Sequence, residues 1–143
     1  MRVRERLRTE PPVVIDASIA VQWFVPEPGS DEAVVLLRAD AVFLAPDLML
    51  VEATSAWWKK YRRGEMSAEQ VERAMARLLA VGIELIPSAP LLTRAVRFAF
   101  ELDHALYDCV YLALTARQGA RLATADGRLR RCAERLGLRL WRP

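Results

Sequence analysis

The chain has 143 residues, of which 53% are hydrophobic and 27% charged, and its formal net charge is +3. This length suits one domain with a core of its own, and the composition excludes a disordered chain. No apolar run reaches the roughly 18 residues that a membrane span needs, and Pro11 and Pro12 interrupt any signal-peptide core, so we expect a cytoplasmic protein.

The charge is unevenly distributed along the chain. Residues 121–143 carry a local charge of +5 and residues 1–10 a charge of +2, whereas the residues between them carry −4. An arginine-rich end beside an acidic middle suits a polyanion that is held by its phosphates while acids do the chemistry. For any single arginine, a solvated basic helix face is the alternative interpretation.

The first half of the chain alternates short apolar runs with helical patterns. Ser67 and Gln70 have the spacing of a capping box, and Ser30 is the expected N-cap of an earlier helix. Gly64 follows a basic last turn, which is typical of a helix end. In chain order the patterns predict a strand at 12–16, helices at 18–24 and 30–40, a strand at 42–46, and helices at 47–64 and 67–82.

The second half continues the alternation. The helical pattern at residues 105–119 is apolar on most faces, which indicates a central position in the fold. We therefore expect a single α/β domain over residues 12–143, with a parallel sheet between helical layers, and a basic N-terminal extension at residues 1–11. The predicted elements are a strand at 83–87, helices at 90–102 and 105–119, a strand at 121–126, a helix at 127–137 and a strand at 138–141.

Four acids that are distant in sequence are predicted to converge at one edge of this sheet. Asp16 ends the first strand and Asp126 ends the fourth, and ligands of open parallel sheets bind beyond these carboxyl ends. Glu52 lies one turn into the helix after the second strand, and Asp108 lies in the first turn of the helix before the fourth. Asp16 and Asp126 also suit helix caps, but Glu52 is the lone charge of an apolar helical segment, a place where acids are rare.

Converging carboxylates repel one another unless a counter-charge is present, and a hard divalent cation supplies it. Because the donors are oxygens, with no cysteine or histidine spacing that would recruit zinc, the expected ion is Mg²⁺ or Mn²⁺. Such a site can catalyse the displacement of a phosphate ester. Ser18 and Thr124 each lie two residues from an acid and offer hydroxyl groups to orient it, although capping and turn roles explain them equally well.

The stretches "VVIDASIAVQWF", "APDLMLVEATSAWW" and "LYDCVYLALTARQGARLATADGRL" resemble the PIN-domain ribonucleases, and among them the VapC-like toxins of toxin–antitoxin pairs. The resemblance spans nearly the whole chain after residue 12. It implies a sheet of order 3-2-1-4-5, metal-dependent cleavage of RNA, homodimerisation and inhibition by a small antitoxin. It places the acidic quartet on Asp16, Glu52, Asp108 and Asp126, with Ser18 and Thr124 as supporting hydroxyls.

The basic C-terminal region is expected to orient the RNA strand. The candidate side chains are Arg121, Arg128, Arg130 and Arg131.

Other residues near this edge have simpler interpretations. Asp103 and the single histidine, His104, are expected in a solvated loop, with proton donation by His104 as the alternative. Trp57 and Trp58 are neighbours on one helix and cannot both face one core, so one of them should be exposed or at an interface. A groove for an apolar antitoxin segment or a dimer contact would account for it.

Two alternatives of different classes compete with a nuclease. A receiver-like signalling domain also clusters acids at strand ends, but it needs an Asp at the end of the third strand and a Lys after the last, and this chain has neither. A non-catalytic module that binds RNA or protein on the same fold stays open at this stage.

Overall fold

A computed structural model describes residues 10–143, so residues 1–9 of the predicted N-terminal extension lie outside the described part. The described chain forms a five-stranded sheet in the order β3-β2-β1-β4-β5, and every neighbouring pair is parallel. This confirms the predicted order. The strands are β1 (Val13–Ile15), β2 (Phe43–Pro46), β3 (Glu84–Ile86), β4 (Arg121–Ala123) and β5 (Arg139–Leu140).

Helices connect all of these strands and cover the sheet. A single turn of 3₁₀ helix at Ala89–Leu91 leads into the helix that was predicted to begin at residue 90. Within residues 10–143 the α-helices are α1 (Ala17–Phe24), α2 (Ser30–Leu37), α3 (Leu48–Arg62), α4 (Ala68–Ala80), α5 (Leu92–Leu102), α6 (Leu106–Gln118) and α7 (Gly127–Arg135). None of the helices in this range is long and apolar enough to cross a membrane.

The helix ends follow local sequence signals with one exception. Ser67 and Gln70 form the predicted capping box, with N–H to oxygen distances of 3.1 Å and 2.8 Å in the two directions. Gly64 follows α3 with φ +74°, a left-handed conformation that favours glycine. The prediction for Ser30 was wrong: α2 begins at Ser30 itself, and Gly29 occupies the N-cap position in a left-handed conformation.

The core lies around β1 and α6. All three residues of β1 are fully buried, and α6 buries seven consecutive residues from Cys109 to Thr115. The helix packs against α5 on one side and against the three central strands on the other, which confirms its predicted central place. Trp57 is fully buried whereas Trp58 is half exposed, as their adjacency on α3 required.

Candidate active site

The chain leaves the buried strand β1 through Asp16, whose side chain is 3% exposed. Asp16 has an extended backbone and caps α1, because its Oδ1 accepts a hydrogen bond from the N–H of Ile19 at 3.1 Å. The same oxygen accepts the hydroxyl of Ser18 at 2.6 Å, and Oδ2 accepts the hydroxyl of Thr124. All of these donors are neutral, so this buried carboxylate is hydrogen-bonded without being charge-compensated.

The hydroxyl groups of Ser18 and Thr124 join the exits of β1 and β4. Ser18 Oγ accepts the N–H of Ala125 at 2.9 Å, and Thr124 Oγ1 accepts the N–H of Asp126 at 3.0 Å. Both hydroxyls therefore donate a hydrogen bond to Asp16 and accept one from a backbone N–H after β4. For this reason β4 ends at Ala123 and not at residue 126 as predicted: Thr124 leaves the ladder to hold this junction.

Glu52 and Asp108 approach the junction from two helices. Glu52, on α3, accepts the phenol hydroxyl of Tyr111 at 2.6 Å. Asp108, in the first turn of α6, lies 2.6 Å from Nε2 of His104. His104 lies in a loop, as predicted, but its side chain is only 17% exposed and not solvated, because it contacts Asp108 one turn further along the chain.

Asp126 lies beside Asp16, Glu52 and Asp108, but its carboxylate caps a helix. Its Oδ1 accepts the N–H groups of Arg128 at 2.8 Å and of Leu129 at 3.3 Å, which makes it the N-cap of α7. Asp126 is exposed, and its link to Asp16 runs through the backbone N–H that it donates to Thr124. Asp108 thus lies near enough to Asp16 and Glu52 to raise their pKa values, whereas the exposed Asp126 lies at the margin of the group.

The three inner acids carry uncompensated negative charge. Burial, with a smaller contribution from the charge of Asp108, raises the pKa of Asp16 to about 6, although hydroxyl donors act against it. Burial and Asp108 also raise the pKa of Glu52, while the hydrogen bond from Tyr111 lowers it. Within residues 10–143 no lysine or arginine forms an ion pair with any of the three.

The donor chemistry of this cluster fits a hard divalent cation. It offers carboxylate and hydroxyl oxygens, and the raised pKa of Asp16 shows that a counter-charge would relieve an unfavourable environment. In the part of the chain that the structure describes, however, no three His, Cys, Asp or Glu side chains stand close enough to share one ion. Asp108 and Glu52 are turned toward His104 and Tyr111, respectively.

The fold and this junction can now be set beside known proteins. Residues 13–135 match the family described as PIN domain, which is most of the chain. The chain belongs to the PIN-domain family. It is 27% identical over 119 residues to Ribonuclease VapC3 of Pyrobaculum aerophilum, a match that covers 82% of this chain and 91% of that protein.

Solved structures agree at the level of the fold. The crystal structure of Mycobacterium tuberculosis VapC20, a toxin that cleaves the sarcin–ricin loop, superimposes with a TM-score of 0.71 at 17% identity. The match covers 92% of this chain and 99% of VapC20. A toxin–antitoxin complex from Klebsiella pneumoniae superimposes with a TM-score of 0.54 at 16% identity, over 80% of this chain and 86% of that one.

In this PIN domain the predicted arginines do not lie together. Arg130 reaches the junction, where its guanidinium donates to the carbonyl of Thr124 at 3.0 Å. Arg128 and Arg131 lie exposed on α7. Arg121 begins β4 and therefore lies at the opposite end of that strand from Thr124, next to Arg139 of β5. The structure thus brings one of the four to the acids and places Arg121 away from them.

A groove beside the junction contains cations that the sequence analysis assigned only to a helix end. This groove, of about 530 Å³, is lined by Ser18 and Asp126 on one side and by the end of α3 on the other. There Lys60 forms a 2.5 Å ion pair with Glu27, while Lys59 forms no ion pair within residues 10–143. We call it the lysine groove.

Proposed function

We propose that this PIN domain is a Mg²⁺- or Mn²⁺-dependent endoribonuclease and the toxin of a toxin–antitoxin pair. The observation that carries the proposal is the junction of β1 and β4, where buried Asp16 lies within the electrostatic influence of Asp108 and pairs with no lysine or arginine of residues 10–143. The relation to a ribonuclease of the VapC type supports the choice of RNA as substrate. We propose a cytoplasmic location for this reaction.

In this mechanism the inner acids Asp16, Glu52 and Asp108 would hold the cation, with the side chains of Glu52 and Asp108 turning from Tyr111 and His104 toward Asp16. A divalent cation held by carboxylates makes water a stronger nucleophile near neutral pH and offsets the charge of a phosphodiester. Ser18 and Thr124 keep the carboxylate of Asp16 in one orientation through their hydrogen bonds. Asp126 fixes the start of α7 and stays available at the margin as the fourth acid of the predicted quartet.

The phosphate backbone of the RNA would lie in the lysine groove. Lys59 is free of ion pairs among the described residues, and it faces Ser18 and Asp126 across the groove. Arg130 approaches from the other side, at the carbonyl of Thr124. Cations on both sides of an acidic centre can hold the two phosphates that flank the reacting one, and they act independently of base sequence.

The experiment is cleavage of a mixed RNA pool by the purified, antitoxin-free protein with Mg²⁺, Mn²⁺ or a chelator. Asp16→Asn should lose at least about 100-fold in rate, because the substitution removes the negative charge and one carboxylate oxygen from the proposed cation site. Asp47→Asn is the matched control, since Asp47 also follows a parallel strand, and its rate should stay within about twofold. Equal cleavage by wild type and Asp16→Asn, or cleavage in chelator, contradicts the proposal. Tight RNA binding with no cleavage by any protein favours the non-catalytic module.

Two apolar surfaces suit the proposed protein partners. A groove of about 580 Å³ between α3 and α4 is lined by Val51, Trp58 and Leu79, all of which are at least half exposed, and we assign it to an apolar antitoxin segment. On α5, Phe100 is 80% exposed and lies in line with Val96, and we assign this stripe to a second copy of the chain. The toxin–antitoxin complex with the same fold supports an antitoxin as the kind of partner.

Binding measurements test these partners directly. Val51→Asp should abolish capture of the cognate antitoxin while leaving the dimer intact, and Phe100→Asp should have the reverse effect. The assays are light scattering of the purified chain and titration with the product of the adjacent upstream reading frame. A wild-type monomer with no affinity for that product contradicts both assignments.

A further inference from the structure

A second cavity opens where β4 and β5 end, next to the acids. It has a volume of about 440 Å³, within the roughly 300–1,000 Å³ typical of sites for small ligands. Thr124 and Ala125 form one wall, Gln22 of α1 and the start of α2 form the second, and Trp141 and Arg130 form the third. Because Thr124 also donates to Asp16, this cavity and the acid junction share a residue.

The cavity also adjoins the lysine groove. Gln22 and Ala125 line both hollows, so the two adjoin at these side chains. A polynucleotide whose phosphate lies beside Ser18 in the lysine groove therefore has the neighbouring cavity within reach of an adjacent base. Both hollows contain charged groups of either sign, but of the two only the cavity is lined by an aromatic ring, the indole of Trp141.

The lining chemistry matches a nucleobase better than a free anion. Trp141 offers an aromatic surface for stacking, which binds any base. The carboxamide of Gln22 can donate and accept hydrogen bonds, Arg130 can donate them, and the carboxylate of Glu32 can accept them. Together these groups can form hydrogen bonds that distinguish one base edge from another. An anion would find Arg130 and Arg142 in the lining, but Arg142 pairs with Glu134 at 3.8 Å and Glu32 would meet the anion as a like charge. The guanidinium of Arg130 is already held in place by the carbonyl of Thr124 at 3.0 Å.

We propose that this cavity, which we call the base cavity, receives one unpaired base of the RNA next to the cleaved phosphate and so contributes to target selection. The inference rests on the proposed ribonuclease function and adds a specificity site to it. A base enters such a cavity only if it is splayed out of a stack, so the target is expected in a loop or a single strand. Gln22 and Glu32 then act as specificity residues, outside the acidic cluster.

Nucleotide titration tests the cavity without any need for cleavage. The probes are the four 5′-mononucleotides, with ribose 5-phosphate as the control that lacks a base, and the readout is the NMR signal of the Trp141 indole N–H. At least one nucleotide should give a saturable shift that ribose 5-phosphate does not give. Gln22→Ala should weaken it about tenfold, whereas Gln118→Ala, at the exposed end of α6, should leave it unchanged. Equal shifts with ribose 5-phosphate, or none with any nucleotide, overturn the base cavity.

Cleavage of an RNA pool gives the second arm of the test. The preference for one base beside the cut should relax about tenfold in Gln22→Ala, because the amide no longer discriminates between base edges. An unchanged preference in Gln22→Ala refutes the specificity role while leaving the nuclease intact. The nuclease function itself is tested separately: cleavage that persists in Asp16→Asn would contradict it.

Discussion

Two aspartates occupy equivalent positions at the carboxyl edge of the sheet. Asp16 follows β1, and its N–H donates to the carbonyl of Ala123, the last residue of β4, at 3.3 Å. Asp47 follows β2, and its N–H donates to the carbonyl of Ile86, the last residue of β3, at 2.9 Å. Each carboxylate also accepts a hydroxyl from just beyond the neighbouring strand, Thr124 for Asp16 and Ser88 for Asp47.

The surroundings separate the two positions. Asp47 is exposed and lies between β2 and the edge strand β3, whereas Asp16 is 3% exposed and lies between the central strands β1 and β4. The crossovers leave β1 and β4 in opposite directions along the sheet, which opens the crevice where ligands of such sheets bind. An aspartate with a hydroxyl partner at a strand end is therefore not a site by itself; burial beside other acids distinguishes Asp16.

The largest difference between the two positions is expected when the hydroxyl that donates to each aspartate is removed. Thr124→Val should lower Mn²⁺ affinity and RNA cleavage by about 10–100-fold, because Asp16 loses the donor that orients it and the N–H of Asp126 loses its acceptor. Ser88→Ala, which removes the donor to Asp47, should change neither property by more than about twofold. Calorimetric titration with Mn²⁺ and the pool cleavage assay provide the measurements.

Thr124→Ser keeps the hydroxyl and provides the control for packing. It should retain activity near that of wild type if hydrogen bonding to Asp16 is the relevant property of Thr124. If Thr124→Ser loses as much activity as Thr124→Val, then the hydroxyl alone is not sufficient, and the methyl group that Val retains is needed as well. If Ser88→Ala loses as much as Thr124→Val, the distinction between the two junctions is wrong.

Much of the architecture was predictable because each element carries its own signal. Continuous apolar runs indicated buried parallel strands, the capping box at Ser67 marked a helix start, and the apolar pattern of residues 105–119 indicated the central helix. The sheet order came from the resemblance and is confirmed. Asp16 and Asp108 were identifiable because their places at the ends of elements on one edge follow from the topology alone.

Contacts between side chains from distant segments were not predictable in this way. Tyr111 and Glu52 are 59 residues apart, and their hydrogen bond depends on how α6 packs against α3. The turn of His104 onto Asp108 depends on the loop after α5, where Asp103 has φ +48°. The position of Arg121 could have been predicted from the sequence, because a residue that begins a parallel strand lies at the edge of the sheet opposite the carboxyl ends.

The smallest expected difference concerns the stability of the metal-free protein. Asp16→Asn should raise the free energy of unfolding by about 1–2 kcal/mol at pH 7.5 in chelator, because it removes a buried charge whose pKa burial raises to about 6. The amide oxygen of Asn can still accept from Ile19 and Ser18, so the cap of α1 is retained. Asp47→Asn, at an exposed position, should stay within about 0.5 kcal/mol of wild type. Urea denaturation provides the measurement.

The pH dependence of this difference identifies its cause. Asp16 has a folded pKa of about 6 and an unfolded pKa near 3.8, so below about pH 3 the carboxyl is neutral in both states and costs nothing. As the pH rises toward 6 the unfolded chain ionises first, and wild type loses stability that Asp16→Asn does not lose. The advantage of Asp16→Asn should thus be absent near pH 3 and complete above about pH 7. An advantage independent of pH would assign it to packing, and a destabilised Asp16→Asn would show that Asp16 serves the fold more than a cation.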